Sequence, residues 1–242
     1  MRLAEHWTAT GDVFFRHRSW IPLLLLPFFI ASFVGLQYPR KSHALGLLWE
    51  IGCFLIALAG IALRMFTTGT SPRGTSGRNT RSQKAVALNT TGPYSIVRHP
   101  LYLANFLIAL ALSLFPRAWF LPIIVSLATL LYYERIAARE EEFLDARFGA
   151  AFRRWAEAVP AAVPSLKKWC PPAQAFDWRR ALDREFYVIS EVALAFFLLD
   201  VMEDYAVKGR LKFDPVWTPT ALLGAAFFLV MWTRKKLRRP PR

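Results

Sequence analysis

Two short stretches carry the densest chemistry in this 242-residue chain. The first is Gly92-Pro93-Tyr94-Ser95-Ile96-Val97-Arg98-His99-Pro100-Leu101-Tyr102. Pro100 suits the first turn of a helix, where its missing N–H costs nothing. Arg98 and His99 are therefore predicted at a helix N-terminus. Free backbone donors, a helix dipole and a guanidinium converge there, which suits a carboxylate or a phosphate. The plainer reading is a charge anchor followed by a helix-starting proline. The second stretch is Glu134-Arg135-Ile136-Ala137-Ala138-Arg139-Glu140-Glu141-Glu142-Phe143-Leu144. Such a run of acids just inside a membrane is costly unless paired. It can neutralise a bound cation or a basic loop, or form a solvated face paired with Arg135 and Arg139.

A third stretch, Thr67 to Arg98, opens with Gly, Ser and Thr interspersed with Arg73, Arg78, Asn79 and Arg81. Backbone N–H groups and hydroxyls in such a loop can wrap an anion. A basic loop lying on anionic headgroups is the alternative. No GxxxxGK[ST] or GxGxxG supports a nucleotide phosphate loop. His6, His17, His43 and His99 show no ligand spacing, and CxxC and HExxH are absent, so no metal site is expected. Cys53 and Cys170 are poorly placed to pair.

The elements that must position these residues read as membrane helices. The chain is 55% hydrophobic, with twenty Phe and nine Trp, which excludes a disordered polycation. Apolar runs cover 19–39, 44–63, 100–116, 118–133, 186–199 and 215–233. The third and fourth are short for a span of about 30 Å and read as a helical hairpin. Glu50 interrupts the second run and Glu191 the fifth; Asp200, Glu203 and Asp204 follow and read as solvated helix ends. The predicted fold is all-α and polytopic, with about six membrane segments. It divides into 1–43 (N-terminal segment and first span), 44–165 (core) and 166–242 (extension with two spans). The first run begins late, is too long, and has no cleavage site, so it is not read as a signal peptide.

Of 31 Lys and Arg, 24 fall on the side of the N-terminus, the 67–100 and 134–185 loops and the C-terminal tail, six on the other, and Arg64 at a helix end. That asymmetry places both termini and the chemistry-bearing loops in the cytoplasm, at the inner membrane if the source is bacterial. The net +14 therefore does not mark a nucleic-acid binder, because the cations alternate with spans and form no continuous groove.

The string Gly92-Pro93-Tyr94, Arg98-His99-Pro100-Leu101-Tyr102, an apolar hairpin, then Glu140-Glu141-x-x-Leu144-x-x-x-Phe148-Gly149, Trp155 and Val159-Pro160 resembles one group of enzymes. It is similar to the isoprenylcysteine carboxyl methyltransferase and phospholipid methyltransferase superfamily of integral membrane enzymes, over roughly residues 45–165. The resemblance implies S-adenosylmethionine as cofactor, bound on the cytoplasmic face by the RHP and EE elements. Carried over by position, Arg98, His99, Pro100, Tyr102, Glu140 and Glu141 are cofactor-site residues, and Arg98, His99 and Glu140 are the catalytic candidates. Arg98 and His99 suit the cofactor's carboxylate and a glutamate its ammonium. Tyr94 or Tyr102 suits its adenine or its sulfonium. Arg73, Arg78, Asn79 and Arg81 are candidates for holding an anionic headgroup.

The implied chemistry is methyl transfer to an amphiphilic membrane substrate. A carboxylate or phosphate acceptor needs no general base, which favours O-methylation; a phospholipid amine would need His99 or a glutamate to take a proton. A small thiol is also compatible. Three departures bear on the substrate. Ala104 stands where the pattern often has Gly, no Arg follows Val159-Pro160, and residues 171–242 lie outside the common core. Two other readings stay open: a nicotinamide-dependent reductase related to sterol reductases, and a non-enzymatic lipid-binding membrane protein.

Overall fold

A computed structural model describes residues 21–36, 42–72, 85–211 and 213–238. Among them the chain forms seven α-helices and no strand. After a 3-10 turn at Ile21–Leu25 come α1 (Leu26–Ser32), α2 (His43–Thr70), α3 (Pro100–Leu114), α4 (Phe120–Phe148), α5 (Ala150–Ala158), α6 (Trp178–Lys208) and α7 (Trp217–Leu237). Local chemistry sets several boundaries. Ser42 caps α2 and Pro100 opens α3. The Asp177 carboxylate accepts from Arg180 N at 3.0 Å to start α6, and Gly209 ends it in the left-handed region. Gly149, at φ +51°, breaks the helical run between α4 and α5.

α2 is central. It packs on α3 and α6, while α4 lies against α3 and α7 against α6. At Gly60 the α2 and α3 backbones approach so closely that a Cβ would fall 2.7 Å from Ala104 O. Ala104 is fully buried, so this crossing leaves room for small residues only. Nearer the other end of α2, Phe54, Phe115, Phe196 and Trp217 pack edge-on around one another.

α2 and α4 are long and apolar enough to cross a membrane, and Leu23–Ser32 and α3 are shorter apolar helices. Their outer faces leave Leu48, Leu55, Leu127 and Leu131 exposed while polar groups are buried inside. That is the inverse of a water-facing surface.

The second arm of the hairpin runs on through the Glu134–Leu144 stretch as one helix, α4, unbroken to Phe148. Three expectations change. The first predicted span is not one helix: within the described residues it is a 3-10 turn and the seven-residue α1. The fifth and sixth runs lie within α6 and α7, neither of which is among the two helices apolar enough to span, since the acids of α6 and the basic end of α7 dilute them. Asp200, Glu203 and Asp204 are buried rather than solvated. Glu203 accepts from Arg117 at 2.5 Å and Asp204 from Lys208 at 2.5 Å. Glu50 is buried too, accepting from Trp217 Nε1 at 2.7 Å.

Candidate active site

The Gly92–Ser95 turn and the residues after it are clasped by α5 and by the segment that follows α5. Gly92 N donates to Cys170 O at 2.9 Å, and Cys170 N donates to Ser95 Oγ at 2.9 Å. Gly92 has φ +60°, and a Cβ there would press on Pro172 at 3.2 Å, so this position requires glycine. Further along, Arg98 N donates to Pro160 O at 2.9 Å, Ser165 N to Ile96 O at 2.9 Å, and Trp155 Nε1 to Tyr94 O at 3.1 Å. These bonds hold the backbone before Pro100 in place and thereby aim Arg98 and His99.

Both side chains meet the acids of α4. His99 Nε2 lies 2.8 Å from Glu141 Oε1, and Nδ1 lies 3.7 Å from Glu140 Oε2. An ionised carboxylate only accepts, so Nε2 carries a proton in the Glu141 contact. Arg98 Nη1 donates to Ala156 O at 3.1 Å. Arg98 Nε is 3.1 Å from Glu141 Oε1 as an ion pair, yet its N–H is buried and has no hydrogen-bond acceptor aligned with it. Burial works to raise the Glu141 carboxyl, but the hydrogen bond and charge of His99 and the charge of Arg98 prevail and hold it below the ordinary glutamate value. Burial, helped by the Glu140 charge, pushes the Tyr94 hydroxyl up to about 12, so it stays protonated at neutral pH.

An aromatic stack extends inward from this cluster. Tyr102 lies parallel to His99 with centroids 5.3 Å apart, and Tyr133 lies on Tyr102 at 4.6 Å. The Tyr102 hydroxyl is in hydrogen-bonding contact with Glu140. Outward from the cluster opens a cleft of about 400 Å³, lined by Arg98, Glu141, Glu142, Asp145, Phe152 and Arg153 among others. Its size is that of small-molecule sites. A groove of about 570 Å³ along α7 is larger, but it is lined mainly by apolar residues such as Leu229 and Val230 and lies away from these groups.

The structure therefore brings together Arg98, His99, Tyr102, Glu140 and Glu141, with Pro100 as the first residue of α3. Tyr94 joins through its backbone and through the Glu140 charge. Glu142 points to Arg139 at 2.6 Å as well as lining the cleft. Arg73, Arg78, Asn79 and Arg81 lie outside the described residues. The residues fit S-adenosylmethionine: the Arg98 guanidinium, which lines the cleft, suits a carboxylate, and the acids lining the cleft suit an ammonium and a sulfonium.

Four neighbours escape a reading of the sequence alone. The Arg64 guanidinium donates to Glu185 Oε2 at 2.6 Å and to Asn105 Oδ1. The Asn105 side chain is in turn in hydrogen-bonding contact with the Tyr133 hydroxyl. The available signal was Arg64 itself, an ionisable group inside a long apolar helix.

Among curated proteins, the chain is 31% identical over 118 residues to the nickel-cobalt-cadmium resistance protein NccN of Alcaligenes xylosoxydans xylosoxydans, covering 49% of this chain and 55% of that protein. It is 36% identical over 84 residues to the cobalt-zinc-cadmium resistance protein CzcN of Cupriavidus metallidurans, covering 35% of this chain and 38% of that protein. The chain thus spans about half or less of the length of these relatives. No solved structure matches it. The stretch that supplies Arg98, His99, Tyr102, Glu140 and Glu141, residues 48–151, matches the phospholipid methyltransferase family, part of the integral membrane methyltransferase superfamily.

Proposed function

We propose that this protein is an S-adenosylmethionine-dependent membrane methyltransferase whose acceptor is the headgroup of an amphiphile, a carboxylate or phosphate oxygen. One observation carries the reading: the Arg98 guanidinium lines a cleft together with the carboxylates of Glu141, Glu142 and Asp145. When bound, the cofactor supplies a methyl group on a sulfonium centre. Arg98 holds its carboxylate. Glu140 or Glu141 pairs with its ammonium. The clasp formed by α5 and residues 159–172 fixes these groups, so most of the protein's contribution is orientation.

In this reading α2, α3 and α4 lie in the bilayer with α6 and α7 alongside, and the cleft opens to the cytoplasm. The lipid enters sideways between helices and the cofactor from water. The proposal also meets the names of the relatives. Methylating an anionic headgroup removes a charge that attracts divalent cations.

A second reading, N-methylation of a phospholipid amine, is favoured by one specific contact. His99 sits between two carboxylates, an arrangement able to take up a proton. Cofactor binding to the detergent-purified chain tests the common part. Micromolar affinity that is lost in Arg98→Ala and Glu140→Ala supports it, and no binding at millimolar cofactor refutes it. Mass spectra of whole lipid extracts, compared with an Arg98→Ala control, separate the two readings by which headgroup gains a methyl group.

A further inference from the structure

The last turn of α7 and the residue after it hold Arg234, Lys235, Lys236 and Arg238, and these cations are disposed differently. Lys235 lies over the Phe186 and Tyr187 rings, with Nζ 5.4 and 5.2 Å from their centroids. Lys236 lies over the Trp232 ring at 5.2 Å. Arg234 and Arg238 instead line the groove of about 570 Å³. Arg238 is 3.6 Å from Asp183 on α6, whereas among the described residues no acid pairs with Arg234. Toward the start of α7 the groove is walled by Leu229 and Val230, and the exposed apolar face continues to Leu222 and Leu223. The opposite face is taken up by α6: Met231 is buried, and a Cβ on Gly224 would fall 2.8 Å from Ala193 Cβ.

The basic end of α7 lies at the end of the bundle that carries Arg98. Asp183 follows Arg180 by three residues, and Arg180 donates to Thr68 O at 2.9 Å and Gly69 O at 2.7 Å, at the end of α2. Just beyond, Ser71 is in hydrogen-bonding contact with the Tyr94 hydroxyl. From Arg234 back to Leu222 the helix runs about 18 Å at ~1.5 Å per residue, slightly more than half of a hydrocarbon core of ~30 Å. The face is therefore apolar over the depth of one leaflet and cationic at the level of that leaflet's headgroups.

We propose that this face of α7 binds an anionic phospholipid, with the phosphate on Arg234 and Arg238 and an acyl chain along Val230, Leu229 and Leu223. The inference rests on the placement of α7 alongside the bilayer, not on the methyl transfer. Charge complementarity selects the occupant. Arg234 and Arg238 stand four residues apart on one helix side, where like charges repel, and a phosphate between them relieves the repulsion. A guanidinium also matches the geometry of phosphate oxygens. A second copy of the chain fits less well. Two copies related by a twofold axis along the membrane normal would meet at equal depth and set Arg234 against its own counterpart.

The test titrates the full chain in neutral detergent with dioctanoyl phosphatidylglycerol or dioctanoyl phosphatidylcholine and counts bound lipid by native mass spectrometry. Wild type should bind the anionic lipid more tightly than the zwitterionic one. Arg234→Gln should weaken phosphatidylglycerol roughly fivefold, the scale of one cation at an anionic headgroup. Arg238→Gln should act in the same direction and serves if Arg234→Gln does not fold. Lys236→Gln removes the same charge from the same turn but from outside the groove, and should change the affinity less than about twofold. Leu229→Gln combined with Val230→Gln should also weaken phosphatidylglycerol. Equal affinity for the two lipids, or equal weakening by Lys236→Gln, would overturn the inference. So would loss on Arg234→Gln without loss on the Leu229 and Val230 changes, together with competition by inorganic phosphate, which would mark a bare anion site. A wild-type dimer that the Leu229 and Val230 changes dissociate would assign the face to a second copy and overturn it too. Failure of the chain to float with phosphatidylcholine vesicles would overturn the bilayer placement itself.

Discussion

The helix bundle holds charge at both ends, and the two ends treat it differently. Near the start of α3, Arg98, His99, Glu140 and Glu141 pair at the edge of a cleft, with side chains 10–32% exposed. Beyond the end of α3, Arg117 and Lys208 meet Glu203 and Asp204, which are 1–3% exposed, with Glu50, Asp200 and Asp214 buried nearby. Arg117 also adopts φ +60°, an unusual conformation for a residue with a side chain, and so is held there by its surroundings. At the second end, removing one partner strands a charge in a closed interior, so these pairs tie the hairpin tip to α6. At the first end, water or a ligand can take over a contact. Burial therefore separates charges that hold the protein together from charges that can serve a ligand.

The comparison can be broken in stability and in binding. The largest effect is expected from Arg117→Ala, which leaves the Glu203 carboxylate buried without a cation and should cost about 3–5 kcal/mol of unfolding free energy in detergent. Whatever folds should bind cofactor normally. Arg98→Ala should do the reverse, weakening S-adenosylmethionine by about 2 kcal/mol, the scale of a charge-assisted hydrogen bond, with little change in unfolding midpoint. Equal stability losses in both variants would erase the distinction.

A subtler measure is pH. The Glu141 carboxyl sits below its ordinary value in the folded protein. A depressed folded value contributes stability above the unfolded value and loses it as pH falls through the folded one. The unfolding midpoint should therefore gain nothing from Glu141→Gln at neutral pH, and the wild type should lose this contribution only below the usual carboxylate range. The smallest effect belongs to Glu142→Ala. That side chain is 53% exposed and pairs with Arg139 three residues away, so a stability change of about 0.5 kcal/mol or less is expected.

Local rules made part of this legible. Pro100 announces a helix start, Gly149 a break, and the RHP and EE strings a pair of complementary charges that the fold brings within 3.1 Å. Pairings across long stretches of chain were not legible. Glu185 lies 121 residues from Arg64, and Glu203 lies 86 residues from Arg117. Neither carboxylate belongs to a motif, and an acid next to an apolar run looks the same in sequence whether it faces solvent or a buried guanidinium. Counting spans meets the same ambiguity: the buried acids of α6 lower its hydropathy without revealing whether they face lipid or protein.

The contact of Arg180 with the end of α2 also bears on how the molecule is made. The last carbonyls of a helix have no partners within it, and here Thr68 and Gly69 find theirs on a guanidinium more than a hundred residues downstream. Synthesis runs from the N-terminus, so α2 must wait, its end open to water or headgroups, while the loop, the hairpin and α5 emerge. Assembly then finishes in one late docking event. A ribosome that stalls before Trp178 would leave a product with the chemistry-bearing residues present and the bundle unlatched, the kind of intermediate that membrane quality control is built to find.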